Sequence, residues 1–256
     1  MNRFEKIQAI RHSLASNQPS IGSWMQIPHS SVAEIMGQAG YDWVAVDMEH
    51  GAIAVHQLPD LFRALELGGT LPLARIAEGN TKNCKQALDA GAGGVIVPMI
   101  ENAQQLTQVR DACCWPPVGT RGVGFSRANL FGKHFDDYCK EAQSPLLIAM
   151  IEHIHAVENL DEILSVVGLD AILIGPYDLS ASMGLTAAFD SSEFISVMDR
   201  IRMRCTQHNI PCGIHVVMPD SNLLVQRIQE GYLFIAYSID AVFLRHSAQI
   251  TWTHNV

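Results

Sequence analysis

The stretch Trp43-Val-Ala-Val-Asp47-Met-Glu49-His50 is a short apolar run that ends in acids and an imidazole. Four other runs end in a comparable way: Leu71-Pro-Leu-Ala-Arg75, Val95-Ile-Val-Pro98, Leu146-Leu-Ile-Ala-Met-Ile-Glu152 and Ala171-Ile-Leu-Ile-Gly175-Pro-Tyr-Asp178. A strand buried on both faces by helices reads as a near-continuous hydrophobic stretch, so these runs read as parallel strands. If such strands close into a barrel, their C-terminal ends meet at one mouth. Carboxylates, an imidazole and a guanidinium from distant parts of the chain would then converge there.

Working outward, candidate strands recur at Ile21–Gln26, Trp43–Asp47, Leu71–Arg75, Val95–Pro98, Leu146–Ile151, Ala171–Ile174, Cys212–Val217 and Leu233–Tyr237, mostly with helical patterns between them. Eight strands in 256 residues predict one (β/α)8 TIM barrel, an α/β fold, spanning residues 1–256. An amphipathic helix over residues 3–15 precedes the first strand. Ser30-Ser31-Val-Ala-Glu34 has capping-box spacing, Asn80-Thr81 opens another helix, and Gly40, Gly68-Gly69 and Gly91 stand where helices should stop. Residues about 113–143, rich in Gly and Pro at their start, break this rhythm and are expected to form an active-site excursion.

The composition is that of an ordinary globular chain, 48% hydrophobic and 17% charged. A net charge of −9 argues against a general nucleic-acid binder. No apolar run approaches the roughly 20 residues of a membrane-spanning helix. The opening Met1-Asn-Arg-Phe-Glu-Lys lacks an apolar signal core, so a cytoplasmic protein is expected. Six cysteines without a C-x-x-C pair read as reduced, mostly buried residues.

Glu152 and Asp178 end neighbouring strands. Two carboxylates completed by water or substrate suit Mg²⁺ or Mn²⁺, although each could instead cap a helix or pair with a base. His153 and His155 stay outside that shell, since strand alternation turns His153 away from Glu152. His50, beside two carboxylates and before Gly51, has the company that a general base needs. Arg75 at the end of a buried strand must be paired or face a ligand; near a metal it would stabilise a developing enolate oxygen. His215, on the seventh strand, reads as structural. There is no Walker loop and no G-x-G-x-x-G after a strand. No lysine ends a central strand, as a Schiff-base aldolase would require, so a carbonyl enzyme built on this chain needs a metal.

Several motifs together resemble the HpcH/HpaI aldolases: Gly40-Tyr-Asp-Trp-Val-Ala-Val-Asp-Met-Glu-His50, Leu73-Ala-Arg75, Leu88-Asp89-Ala-Gly-Ala, Val97-Pro98-Met, Pro116-Pro-Val-Gly-Thr-Arg121-Gly-Val-Gly124 and Gly175-Pro-Tyr-Asp178-Leu-Ser-Ala-Ser-Met-Gly184. The resemblance runs from about Ile21 to Asp240. It implies class II, metal-dependent aldolases that cleave 2-keto-4-hydroxy acids, such as 3-deoxy sugar acids, to pyruvate and an aldehyde. It further implies Mg²⁺, Mn²⁺ or Co²⁺ held by Glu152 and Asp178. Pyruvate would be bound there, its carboxylate received by backbone N–H groups near Tyr177 and Asp178, beside Gly175. His50 would be the base, Asp89 the residue that increases its basicity, Asp47 a further orienting group, and Arg75 the enolate stabiliser. A homohexamer, a trimer of dimers with the last helix exchanged between subunits, is also implied; that helix is expected near Val242–Ile250.

Two positions depart from the family pattern. Met150 stands where a glutamine usually reaches the substrate, and Tyr177 stands where alanine or serine precedes the metal aspartate. Both bear on substrate identity. The rival readings are another enolate-forming barrel, citrate-lyase-like or phosphoenolpyruvate-using, and a catalytically weak binding barrel.

Overall fold

The computed structural model describes residues 2–249. Eight parallel strands close a barrel in sequence order: β1 (Ser20–Met25), β2 (Trp43–Asp47), β3 (Leu71–Arg75), β4 (Gly94–Val97), β5 (Leu146–Ile151), β6 (Ala171–Ile174), β7 (Cys212–Val216) and β8 (Phe234–Ile239). Around them run α1 (Arg3–Ala15), α2 (Ser30–Gly37), α3 (Leu58–Leu67), α4 (Thr81–Ala90), α5 (Ala103–Cys113), α6 (Phe135–Ala142), α7 (Ile154–Glu158), α8 (Leu160–Leu164), α9 (Pro176–Ser182), α10 (Ser192–His208), α11 (Ser221–Gln229) and α12 (Asp240–Ser247). The (β/α)8 expectation holds, and each expected strand lies within two residues of its position. Among the described residues, no helix is long and apolar enough to cross a membrane.

Period-two alternation divides every strand between two cores. Val44, Val46, Ala74, Val95, Val97, Leu147, Ala149 and Ile151 face the helices. Trp43, Ala45, Leu71, Leu73, Ile96, Leu146, Ile148, Met150, Leu173, Phe234 and Ala236 fill the barrel itself. The floor is packed with aromatics. Trp43 stacks on Phe234 with centroids 4.4 Å apart, and Trp24 meets Trp43 edge-on at 6.4 Å. This packing depends on Gly22, because a Cβ there would lie 2.0 Å from the Trp43 indole.

Helix α1 covers that end of the barrel. Its Ile7, Ile10 and Leu14 belong to the interior cluster. Arg11 holds it in place by donating from Nε and Nη2 to the two Asp170 oxygens at 2.7 and 3.0 Å, and Arg3 donates to Glu141 at 2.8 Å.

The cap expected at Ser31 is replaced by His29, whose Nδ1 accepts the Ser31 N–H at 3.1 Å. Asn80 caps α4 as expected, accepting from the Asn83 N–H at 2.9 Å. The last expected helix begins directly after β8 as α12; its carboxylate at Asp240 accepts the Gln26 and Ile27 N–H groups, both at 2.9 Å. Ile250, the end of the expected pattern, lies outside the described residues.

Because Gly22 makes room for Trp43, Gly22→Ala is expected to destabilise the fold by about 1–3 kcal/mol through overpacking. Urea unfolding checks this, and an unchanged midpoint would mean that the aromatic floor can shift freely.

Candidate active site

The alternation that builds the interior also aims the mouth residues. Asp47 follows Trp43 and Ala45 on the inner face of β2, and Arg75 follows Leu71 and Leu73 on β3; the two are partners in register. Arg75 Nε donates to Asp47 Oδ1 at 2.8 Å, and its Nη2 donates to Oδ2. Nη1 lies 3.4 Å from Glu49 Oε2, and the guanidinium sits 4.4 Å from the Trp24 ring centroid. Such a bidentate pair fixes both plane and direction. Asp47 is completely buried and also accepts from Gln26 Nε2 at 2.8 Å and from the Glu49 and His50 N–H groups at 3.1 and 3.2 Å. Burial alone would raise the Asp47 carboxyl, but the Arg75 and Gln26 bonds hold it below the usual range.

Asp47 therefore sets the turn that carries His50 through backbone contacts. The sequence reading gives Asp47 as a further orienting group for His50, and the contact between the two runs through the His50 N–H. The nearest carboxylate to the ring is Glu49, with Oε2 3.9 Å from His50 Nε2. The His50 side chain is 57% exposed, open to a ligand at the mouth.

Glu152 extends the inner face of β5 beyond Met150 and is 3% exposed. Its Oε2 accepts the Met99 N–H at 3.0 Å. Burial pushes its carboxyl up to about 7; the Met99 bond opposes this, while the Glu49 and Asp178 charges add to it. Burial likewise raises Glu49, against the pull of Arg75. Gly175 lets the backbone of the β6 exit approach this carboxylate, since a Cβ there would stand 2.6 Å from Glu152 Oε1. Asp178 is exposed in the first turn of α9, where Gly175 is the cap residue, so the alternative in which Asp178 caps the helix does not hold.

Two contributors were not assigned roles from sequence. Glu49 Oε2 is buried and has no hydrogen-bond partner. Its position beside His50 was visible in the sequence, but its direction was not. Met99 adopts φ +53, a left-handed backbone that is uncommon outside glycine, and in that conformation its N–H reaches Glu152. No residue-type signal marks that conformation.

Other expected site residues lie elsewhere. Asp89, on α4, is 3.6 Å from Arg121 Nη1 and borders a 580 Å³ recess with His56, Lys85 and Phe131. Among the described residues it makes no hydrogen bond or ion pair with His50. The 113–143 segment joins α5 to β5 and packs on the outer layer: Trp115, Ala128, Tyr138 and Ala142 form a small core of their own, and Arg127 pairs with Glu66. Within one chain it does not cover the mouth, because an α-to-β connection enters the strand from the end opposite the mouth. Met150 is buried in the barrel interior beneath Glu152. Tyr177 is 52% exposed and packs edge-on against Phe189 at 5.0 Å. His215 faces the interior beside Trp24, and burial pushes it down to about 4.

Acids, a guanidinium and an imidazole at the C-terminal mouth of a parallel barrel define an enzyme-type site. The model of the HpcH/HpaI aldolase/citrate lyase family matches residues 20–247, and the chain belongs to that family. It is 34% identical over 247 residues to the hydroxypyruvate/pyruvate aldolase of Roseobacter denitrificans, covering 95% of each chain. It is 40% identical to the 2-keto-3-deoxy-L-rhamnonate aldolase of Salmonella gallinarum, covering 91% of this chain and 87% of that one. A crystal structure of an HpcH/HpaI aldolase/citrate lyase family protein from Burkholderia cenocepacia superposes with a TM-score of 0.87 at 28% identity, over 94% of this chain and 96% of the other. The sequence-level resemblance is thereby confirmed, and these aldolase names favour the aldolase reading over its citrate-lyase-like rival.

Removing one partner of a buried ion pair leaves the other charge uncompensated. Arg75→Ala is expected to cost about 3–5 kcal/mol, with less than additive loss in the Asp47→Ala, Arg75→Ala double variant on chemical unfolding. In metal-free protein, neutral Glu152 favours the fold below the ordinary glutamate pKa of about 4.3. That contribution is lost as pH rises through about 7, where the buried carboxyl ionises. Glu152→Gln, which stays neutral, should therefore gain stability relative to the parent from about pH 5 to about pH 8. Parallel thermal-melt profiles would contradict this.

Proposed function

We propose that the protein is a divalent-metal-dependent class II aldolase that reversibly cleaves a 2-keto-4-hydroxy acid, of the 3-deoxy sugar acid kind, to pyruvate and an aldehyde. The observation that carries this reading is the buried Glu152 carboxylate, held by the Met99 N–H and pushed up by burial and by the charges of Glu49 and Asp178. Several carboxylates with too little positive charge between them fit a hard divalent ion, and Glu49 Oε2, buried without a hydrogen bond and balanced only by the Arg75 charge 3.4 Å away, supports the same conclusion. Glu152 and Asp178 would hold Mg²⁺, Mn²⁺ or Co²⁺. Once bound, the ion supplies Lewis acidity toward the keto oxygen.

The chain's own residues supply the remaining chemistry. The first turn of α9 leaves the Tyr177 and Asp178 N–H groups without intrahelical acceptors, and these receive the substrate carboxylate next to Gly175. His50 takes the proton from the 4-hydroxyl, the C3–C4 bond breaks, and the aldehyde leaves. Arg75, its direction set by Asp47, faces the negative charge that develops on the former keto oxygen. Met150 lies under the site and Tyr177 at its rim, so they bear on which aldehyde fits.

The chain acts as a single barrel domain, described over residues 2–249. In the expected hexamer, with its last helix exchanged, Asp89 serves a histidine across a subunit contact. Val123, Phe125, Leu130 and Phe131, exposed on the 113–143 segment, suit such a contact.

Exchange of the pyruvate methyl protons in D₂O, followed by NMR, tests enolate formation without knowledge of the aldehyde. It is expected to require Mg²⁺, Mn²⁺ or Co²⁺, to stop with chelator, and to be abolished by Glu152→Ala or Asp178→Ala. Exchange indifferent to chelator would remove the metal from the mechanism. His50→Asn is expected to lower aldol cleavage by about 10²–10⁴-fold, the usual contribution of a general base.

A further inference from the structure

Next to Glu152, but outside its shell, a second set of donors converges. Glu101 lies two residues beyond Met99, and His153 and His155 follow Glu152 into α7. His155 Nδ1 is 3.2 Å from Glu101 Oε2, His153 Nδ1 is 4.0 Å from the same oxygen, and the two imidazole centroids are 4.4 Å apart. One donor atom from each residue lies within 4.8 Å of the others. A tetrahedral ion with bonds of about 2.0–2.1 Å holds its donors roughly 3.3 Å apart. The observed separations bracket that span, so side-chain rotation alone can close the set.

We propose that Glu101, His153 and His155 form a second metal site that takes a transition ion of the Zn²⁺ class, with water in the fourth position. Its donor chemistry differs from that of the mouth. Two imidazoles and one carboxylate favour Zn²⁺, Co²⁺ or Ni²⁺, whereas a set made only of carboxylates favours Mg²⁺ or Mn²⁺. The backbone on both sides is anchored: the Glu101 N–H donates to Gln105 Oε1 at 2.9 Å, and Asn159 Nδ2 donates to the Glu101 carbonyl at 3.0 Å. His153 Nδ1 accepts the His155 N–H at 3.2 Å, and the ion replaces that one cap bond. All three residues retain solvent exposure, which gives the ion a way in.

The site ties two neighbouring strand exits together. Glu101 belongs to the β4 exit, which supplies the Met99 N–H, and His153 to the β5 exit, which supplies the carboxylate that accepts it. An ion bridging Glu101 and His153 braces the segments that hold Glu152. The site does not depend on the aldolase reading.

Co²⁺ added to the full chain carrying Glu152→Gln and Asp178→Asn is expected to bind with the visible absorption of a nitrogen-ligated, low-coordinate ion and to be displaced by Zn²⁺. His155→Ala in that background is expected to weaken Zn²⁺ binding at least about tenfold. In the otherwise wild-type chain, His155→Ala should leave Mg²⁺ binding unchanged, and Zn²⁺ should shift the NMR signals of His153 and His155 before that of His50. This last reading needs no change at the mouth, so it stands if the double variant misfolds. Zn²⁺ affinity unaltered by His155→Ala, or Zn²⁺ that leaves both histidine signals unmoved, overturns the proposal.

Discussion

The Asp47–Arg75 pair is the constraint on which the mouth of this barrel depends. Neither residue can be accommodated alone, because an unpaired charge at that depth would cost far more than the fold could offset. Paired across β2 and β3, each uses the other to satisfy its burial. The spare capacity of each is then directed elsewhere: Asp47 gathers two backbone N–H groups and Gln26, while Arg75 turns its remaining edge to Glu49 and its face to Trp24. Ionic pairing, turn geometry and aromatic packing thus come from one contact. The turn that presents His50 follows from it.

Glu152 is built on the opposite logic. It has no cationic partner at hydrogen-bond distance among the described residues; it is held by the Met99 N–H and surrounded by other acids. One buried carboxylate is made comfortable and stays ionised, while the other is made uncomfortable and drawn toward neutrality. Such a difference in environment is how a single mouth can hold two carboxylates with separate tasks.

Much of this was legible in the sequence, for a physical reason. Parallel strands covered on both sides are mostly apolar along their length, so several end visibly where charge returns, as at Asp47, Arg75 and Glu152. Alternation then fixed which of those residues look inward. Backbone conformation and the placement of segments between the two ends of the barrel were not legible. The left-handed Met99 has no residue-type signature, and a histidine is an uncommon helix cap, which is why Ser31 looked better than His29. Asp89 and the 113–143 segment carry motifs that point to a site, but one chain places both in its outer layer. The Glu101 set escaped notice because its members lie about 50 positions apart in sequence, and only the adjacency of β4 and β5 brings them together.

Helix α1 closes the end of the barrel remote from the site with Ile7, Ile10 and Leu14, so the interior has a plugged base and one rim. Whatever enters the mouth must leave through it. A side chain that crowds this single doorway hinders arrival and departure along the same path. By microscopic reversibility, such crowding slows both rates by a common factor and leaves the binding equilibrium where it was. At this rim, residence time can change without any change in affinity.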